Sequence, residues 1–148
     1  MIPKTEWRNL LLAKRKVIPK ERREQASLLV LKALQSRGRV LSFTPHGSEI
    51  DLTPLNQWLA ARGCLFLVPY RADAMLQISL TEIDCILVPG LGFDRDKVRI
   101  GYGKGYYDRL LAAAGEIPTI GVGFQEQFCE ELLPRDPWDI PVQELLLV

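Results

Sequence analysis

The sequence has a single histidine, His46, among 148 residues, and three cysteines, Cys64, Cys85 and Cys129, which lie far apart and are odd in number. A structural zinc site needs closely spaced ligand pairs, and a disulfide framework favours an even count. Neither is expected here, and free thiols in a reducing compartment are. No apolar run approaches the roughly 18 residues of a membrane span, and the N-terminus lacks the apolar core of a signal peptide. A cytoplasmic protein without a membrane partner is expected. Charge of one sign is also lacking: 19 Lys and Arg nearly balance 18 Asp and Glu, so no global field points to nucleic acid. No repeat, linker or low-complexity tract divides the chain. Its length suits one domain, 1–148, with a core of its own.

What is present alternates in period. Residues 4–17 read as a helix with Trp7, Leu10 and Leu11 on one side and Lys4, Arg8, Lys14, Arg15 and Lys16 making it basic. That basic surface suits either a solvated face or contact with an anion. Pro19 suits the first turn of a second helix, whose stripe is Ala26, Leu29, Val30, Ala33 and Leu34, and Gly38 can close it. A short strand at 39–44 leads into a loop with His46, Glu49 and Asp51. Thr53 and Pro54 pair an N-cap with a first-turn proline, and Leu55, Trp58 and Leu59 face inward. Residues 64–68 and 84–88 are near-continuous apolar runs, which suits strands buried on both faces. A further strand at 76–80, a helix after 105, a strand at 118–124, a helix at 125–132 and a last strand at 145–148 complete the reading. Strands alternating with helices predict a three-layer α/β/α fold with a mostly parallel central sheet. Ligands then belong beyond the carboxyl ends of the strands, at the loops starting near 45, 69, 89 and 124.

One of those loops is unusual. Six of the eleven glycines are Gly90, Gly92, Gly101, Gly103, Gly105 and Gly115. The segment Arg99-Ile100-Gly101-Tyr102-Gly103-Lys104-Gly105-Tyr106-Tyr107-Asp108 opens a helix striped by Tyr107, Leu110, Leu111 and Ala114. Glycine permits positive φ and close approach of a ligand to the backbone, and N–H groups before a helix favour an anion. The pattern is neither a Walker A loop nor a dinucleotide fingerprint. A phosphate site with Arg99 and Lys104 supplying charge is the sharper reading. A tight loop carrying a plain Lys104–Asp108 ion pair at i, i+4 is the plainer one.

Taken whole, Val88-Pro89-Gly90-Leu91-Gly92-Phe93-Asp94, a spacer, and then Arg99 to Arg109 resemble the signature of the 5-formyltetrahydrofolate cyclo-ligases, also called methenyltetrahydrofolate synthetases. Other pieces fall in the same order: Lys4 and Arg8 as Lys-x-x-x-Arg, Ser48-Glu49-Ile50-Asp51 as an acidic substrate loop, Pro69-Tyr70-Arg71, residues 121–127, and Trp138-Asp139-Ile140-Pro141-Val142. The resemblance implies an ATP- and magnesium-dependent closure of 5-formyltetrahydrofolate to 5,10-methenyltetrahydrofolate, giving ADP and phosphate. By that resemblance Arg99 and Lys104 carry the γ-phosphate charge as catalytic residues. Lys4 and Arg8 reach the other phosphates, and Ile100, Gly101, Tyr102, Gly103, Gly105, Tyr106 and Tyr107 form the nucleotide wall. Asp108 and Asp139 hold Mg²⁺, while Glu49 with Thr44, Tyr102 and Tyr106 holds the folate. The expected partners are small molecules alone, for a monomer.

The chain departs from the family pattern at three places. Only Thr81-Glu82-Ile83 remains of a longer connection, Trp138 stands where a histidine precedes Asp139, and Gln143 stands where an acid is expected. The phosphate side is therefore the more complete of the two. A nucleotide-binding relative without folate turnover is the alternative, followed by an interaction protein using the basic first helix.

Overall fold

Cys85-Ile86-Leu87-Val88 has no polar break, and these four residues form the strand at the centre of the sheet, buried throughout. The computed structural model describes residues 2–68 and 79–148. In chain order its helices are α1 (Lys4–Lys16), α2 (Lys20–Leu34), α3 (Thr53–Ala61) and α4 (Tyr106–Ala113). Its strands are β1 (Val40–Ser42), β2 (Leu65–Leu67), β3 (Cys85–Val88), β4 (Gly92–Asp94), β5 (Arg99–Ile100), β6 (Thr119–Gly123), β7 (Phe128–Cys129) and β8 (Glu144–Leu147). Five strands make one sheet in the order β2-β1-β3-β6-β8, with every neighbouring pair parallel.

Side-chain alternation along these strands separates two cores. Val40, Cys85, Leu87, Ile120 and Val122 pack with α2 and α3 on one face. Leu41, Ile86 and Val88 pack with Leu110, Leu111 and Ala114 of α4 and its end on the other. The expected three-layer parallel arrangement is observed. Gly121 lies so close to Phe93 that an added Cβ would come within 2.6 Å of the ring.

Several local expectations differ from the structure. The run at 64–68 is not a doubly buried strand: β2 lies at the sheet edge and Leu67 is 44% exposed. On α1, Leu10 is exposed while Arg15 is buried. On α2 the buried set is Ala26, Ser27, Val30 and Leu34, with Leu29 exposed. α3 has Leu52 at its N-cap, and Thr53 N–H is instead satisfied by Asp51 Oδ1 at 2.9 Å. The expected helix at 125–132 is a 3-10 turn, Gln125–Gln127, followed by β7. Most of the expected strand at 76–80, and Pro69-Tyr70-Arg71, lie outside the described residues. Leu80–Glu82 is a 3-10 turn.

A second sheet, β5-β4-β7, has no counterpart in the sequence pattern. β4 pairs antiparallel with β5 and parallel with β7. With α1 it encloses a third small core of Leu11, Leu91, Ile100, Cys129 and Leu133. Asp94, fully buried, holds this unit together. Its Oδ1 accepts from Asp96 N (2.9 Å) and Val98 N (3.1 Å), and its Oδ2 from Leu133 N (2.9 Å) and Arg135 Nη2 (3.2 Å). The aspartate at the end of the Val-Pro-Gly-Leu-Gly-Phe-Asp stretch is thus a structural anchor that positions β5, the strand carrying Arg99.

Removing that carboxylate leaves buried donors without an acceptor. Asp94→Ala should lower the unfolding free energy by about 3 kcal/mol, whereas Asp96→Ala on the exposed side of the turn should change it by less than about 0.5 kcal/mol. Urea titration of both variants checks this, and equal small losses would remove the anchoring role of Asp94.

Candidate functional site

The carboxyl ends of β1, β2 and β3 open into one cleft of ≈ 750 Å³. The α4 side supplies the glycine segment, α1 supplies Lys4 and Arg8, the loop after β1 supplies Thr44 and Glu49, and the stretch before β8 supplies Asp136, Trp138 and Asp139. All fifteen residues expected at the site face this single cleft: Lys4, Arg8, Thr44, Glu49, Arg99, Ile100, Gly101, Tyr102, Gly103, Lys104, Gly105, Tyr106, Tyr107, Asp108 and Asp139. Asp51, the second carboxylate of the acidic loop, does not; it accepts from Thr53 N at the start of α3. The loop after Phe124 is also absent from the lining. Its Gln127 turns inward and donates to Gly90 O at 2.7 Å and Leu91 O at 3.1 Å.

The glycine segment is shaped by backbone that only glycine adopts easily. Gly103 and Gly105 have φ of 89° and 71°, and Gly105 is the N-cap of α4. Arg8 Nε donates to Gly101 O at 2.8 Å, and its guanidinium packs 3.3 Å from where a Cβ on Gly103 would stand. Arg8 therefore braces the segment from the α1 side while its charge faces the cleft. Lys104 precedes the helix rather than lying on it, is exposed, and makes no ion pair among the described residues. The plain Lys104–Asp108 pair is not formed, because Asp108 Oδ1 faces Arg99 Nη1 at 3.8 Å instead.

Arg99 is deeply buried on the glycine-segment wall of the cleft, where burial lowers its pKa against the opposing pull of Asp108. A guanidinium remains charged even so. Its Nε donates to Pro89 O at 2.9 Å, and its guanidinium carbon lies 5.3 Å from the Tyr107 ring centre. Burial pushes the Tyr107 phenol well above its ordinary value, so it stays a neutral donor. Tyr106 meets Tyr107 edge to face, with centroids 5.3 Å apart.

On the opposite wall Glu49 is 8% exposed. Its Oε1 accepts from His46 N at 2.7 Å. Burial raises its pKa despite that bond and the nearby Arg15, His46 and Arg99. At the cleft mouth Lys4 Nζ bridges Asp136 Oδ2 (2.6 Å) and Asp139 Oδ2 (2.7 Å). Burial works against the ammonium, but the two carboxylates outweigh it, and the Lys4 pKa is raised. Asp139 also accepts from Asp136 N at 2.7 Å. Asp136 does not stand out in the sequence; only its three-residue spacing from Asp139 marks it. Trp138 is 65% exposed on the rim.

The cleft thus combines cations on a glycine-rich wall with carboxylates that could hold a hard divalent ion. Among the described residues no group of three or more His, Cys, Asp or Glu gathers. Asp108 and Asp139 both line the cleft, and magnesium takes one or two carboxylates and completes its shell with water and phosphate oxygens. No helix among the described residues is long and apolar enough to cross a membrane.

Comparison with known proteins bears on the same features. Residues 71–148 match the 5-formyltetrahydrofolate cyclo-ligase family. The 5-formyltetrahydrofolate cyclo-ligase of Mus musculus is 40% identical over 104 residues, 66% of this chain and 48% of that one. The enzyme of that name from Mycoplasma pneumoniae is 41% identical over 66 residues, 44% of this chain and 39% of that one. The matched stretch spans less than half the length of these curated relatives. The solved structure of Aquifex aeolicus 5,10-methenyltetrahydrofolate synthetase superposes with a TM-score of 0.79 at 32% identity, covering 97% of this chain and 89% of that one. The Mycoplasma pneumoniae 5,10-methenyltetrahydrofolate synthetase shares the fold, with a TM-score of 0.80 at 23% identity over 97% and 98% of the two chains.

The buried Glu49 has a measurable cost. Its folded pKa lies above the unfolded value of about 4.3. Its stabilising contribution is therefore present below that unfolded value and is lost as pH rises through the folded one. A glutamine side chain at this position could still accept from His46 N without burying a charge. Glu49→Gln should raise Tm at pH 7, and the gain should vanish near pH 4. Thermal melts of both proteins across that range check it; a less stable variant at pH 7 would contradict the burial account.

Proposed function

This chain belongs to the 5-formyltetrahydrofolate cyclo-ligase family, and on that premise we propose that it converts 5-formyltetrahydrofolate to 5,10-methenyltetrahydrofolate with ATP, releasing ADP and phosphate. The observation that carries this reading is the two-walled cleft. Arg8, Arg99, Lys104 and the backbone about Gly103 form one wall, and the buried Glu49 faces them from the other.

The chemistry explains why both walls are needed. A formamide oxygen is a poor leaving group. When that oxygen attacks the γ-phosphorus, the bond to ADP breaks, and the formyl carbon becomes electrophilic. The neighbouring ring-linked nitrogen adds to that carbon and loses its proton. The carbon–oxygen bond then breaks, and phosphate leaves carrying the former formyl oxygen. Phosphoryl transfer of this kind asks the protein for position and charge more than for covalent participation.

Each residue has a task on this reading. Lys104, exposed and without an ion-pair partner among the described residues, follows the γ-phosphoryl group. Arg99, fixed by Pro89 O, supplies immobile positive charge below it. Arg8 and Lys4 meet the remaining phosphates; Lys4 exchanges its two carboxylates for phosphate oxygens. Asp108 and Asp139 would hold magnesium, which would neutralise phosphate charge. Glu49, with Thr44, orients the formyl-bearing end of the folate, and Tyr102 and Tyr106 offer aromatic faces between the two substrates.

Turnover is followed by the appearance of methenyl absorbance with and without ATP and Mg²⁺. ATP binding with no methenyl product would overturn the activity and leave a nucleotide-binding relative. Lys104→Ala should lower kcat/KM about 10²-fold, the loss of one charge contact to a transition state, with Tm unchanged; unchanged turnover would make Lys104 a surface residue. Asp108→Asn should raise the Mg²⁺ concentration needed for half-maximal rate, and an unaltered titration would remove Asp108 from the metal site.

A further inference from the structure

Arg15 belongs, by sequence, to the basic face of α1, yet it is 2% exposed. It lies in the last turn of the helix, where a cation suits the dipole. Its Nε donates to Ser48 Oγ at 2.9 Å, its Nη1 to Gly90 O at 3.3 Å, and its Nη2 to the Tyr102 hydroxyl. The guanidinium carbon lies 5.8 Å from the Tyr102 ring centre. The three acceptors come from three separate segments: Ser48 adjoins Glu49, Gly90 follows β3, and Tyr102 belongs to the glycine segment. Arg23 adds a second clasp from α2, with Nη1 donating to Ser48 O at 2.9 Å and Nη2 to Arg15 O.

None of the three acceptors is a carboxylate. Burying a guanidinium without a bonded counter-ion is costly, and an apolar side chain of similar volume would fill such a space more cheaply. The arrangement supplies geometry instead: a planar fork with fixed donor directions that ties three segments to one point. Tyr102 shows the effect. Its hydroxyl is held from below while 48% of the residue remains exposed at the cleft.

We infer that Arg15 is a positioning residue that locks the glycine segment, through Tyr102, to the Glu49 loop, so that the two walls of the cleft keep one spacing. The inference deepens the proposed two-substrate reading and rests on it for its catalytic consequence. Transfer between two bound molecules requires reacting atoms held within about 3–3.5 Å of each other. A wall that drifts separates them without abolishing either binding surface.

Amide hydrogen exchange on the ligand-free protein tests the lock apart from the chemistry. Arg15→Met should speed exchange at 46–49 and at 101–105 together, by about tenfold, the effect of losing charge-assisted hydrogen bonds. Tyr102→Phe should do so at 101–105 alone, Ser48→Ala at 46–49 alone, and β3 and β6 should stay protected in all three. Where Arg15→Met does not fold, the Tyr102→Phe and Ser48→Ala variants carry the test. In turnover, Arg15→Met should lower kcat about tenfold and raise KM for both substrates, while Arg15→Lys, which keeps the charge but loses the fork, should restore stability more than kcat. Faster exchange confined to α1, a uniform rise through the core, or unaffected 101–105 amides in Tyr102→Phe would each overturn the inference. The expected exchange pattern in a wild-type protein that does not turn over 5-formyltetrahydrofolate would leave the lock standing and remove the proposed function.

Discussion

Two backbone carbonyls at the carboxyl end of the central strand support the whole cleft. Pro89 O accepts from Arg99, and Gly90 O accepts from both Gln127 and Arg15. Buried cationic and amide groups need fixed acceptors, and here the acceptors directly follow β3, a strand of the sheet that is buried throughout. Two arginines and a glutamine from distant parts of the chain are thereby aimed at the same edge. The parallel order of β1, β2 and β3 brings the other loops to that edge, where α/β sheets present their ligands.

Around that edge the charges are arranged in pairs. Arg99 faces Asp108, and Lys4 lies between Asp136 and Asp139. Such pairing makes the burial of ionised groups tolerable. It also suits the proposed chemistry, since a triphosphate can take the place of carboxylates on the cations, and a divalent ion the place of Lys4 on Asp139. Glu49 stands outside these pairs, a nearly buried acid whose ionised form is disfavoured by burial. That strain is the kind that binding sites retain at the expense of stability.

Much of this was legible in the sequence because its causes are local. The glycines at 103 and 105 announce positive φ, the unbroken apolar run at 85–88 announces a central strand, and the helix after 105 shows its stripe. Where burial is decided by distant neighbours, the local pattern misleads. Residues 64–68 read as a central strand because they are apolar, but their position in the sheet makes β2 an edge. Residues 125–132 read as helix, but the chain turns so that Gln127 can reach Phe124 N and Gly90 O, and β7 then joins the small sheet. Arg15 shows the limit most clearly: nothing near it in the sequence separates it from Lys14 and Lys16, and only the folded chain brings Ser48, Gly90 and Tyr102 to it.

In the proposed reaction the cleft joins a phosphoryl donor to a formyl oxygen. Oxygen tracing tests it most directly. With 5-formyltetrahydrofolate labelled with ¹⁸O in the formyl group, the inorganic phosphate released with ATP and Mg²⁺ should carry one ¹⁸O per methenyl group formed, read by its mass. Unlabelled phosphate, with the label released to water, would contradict the account.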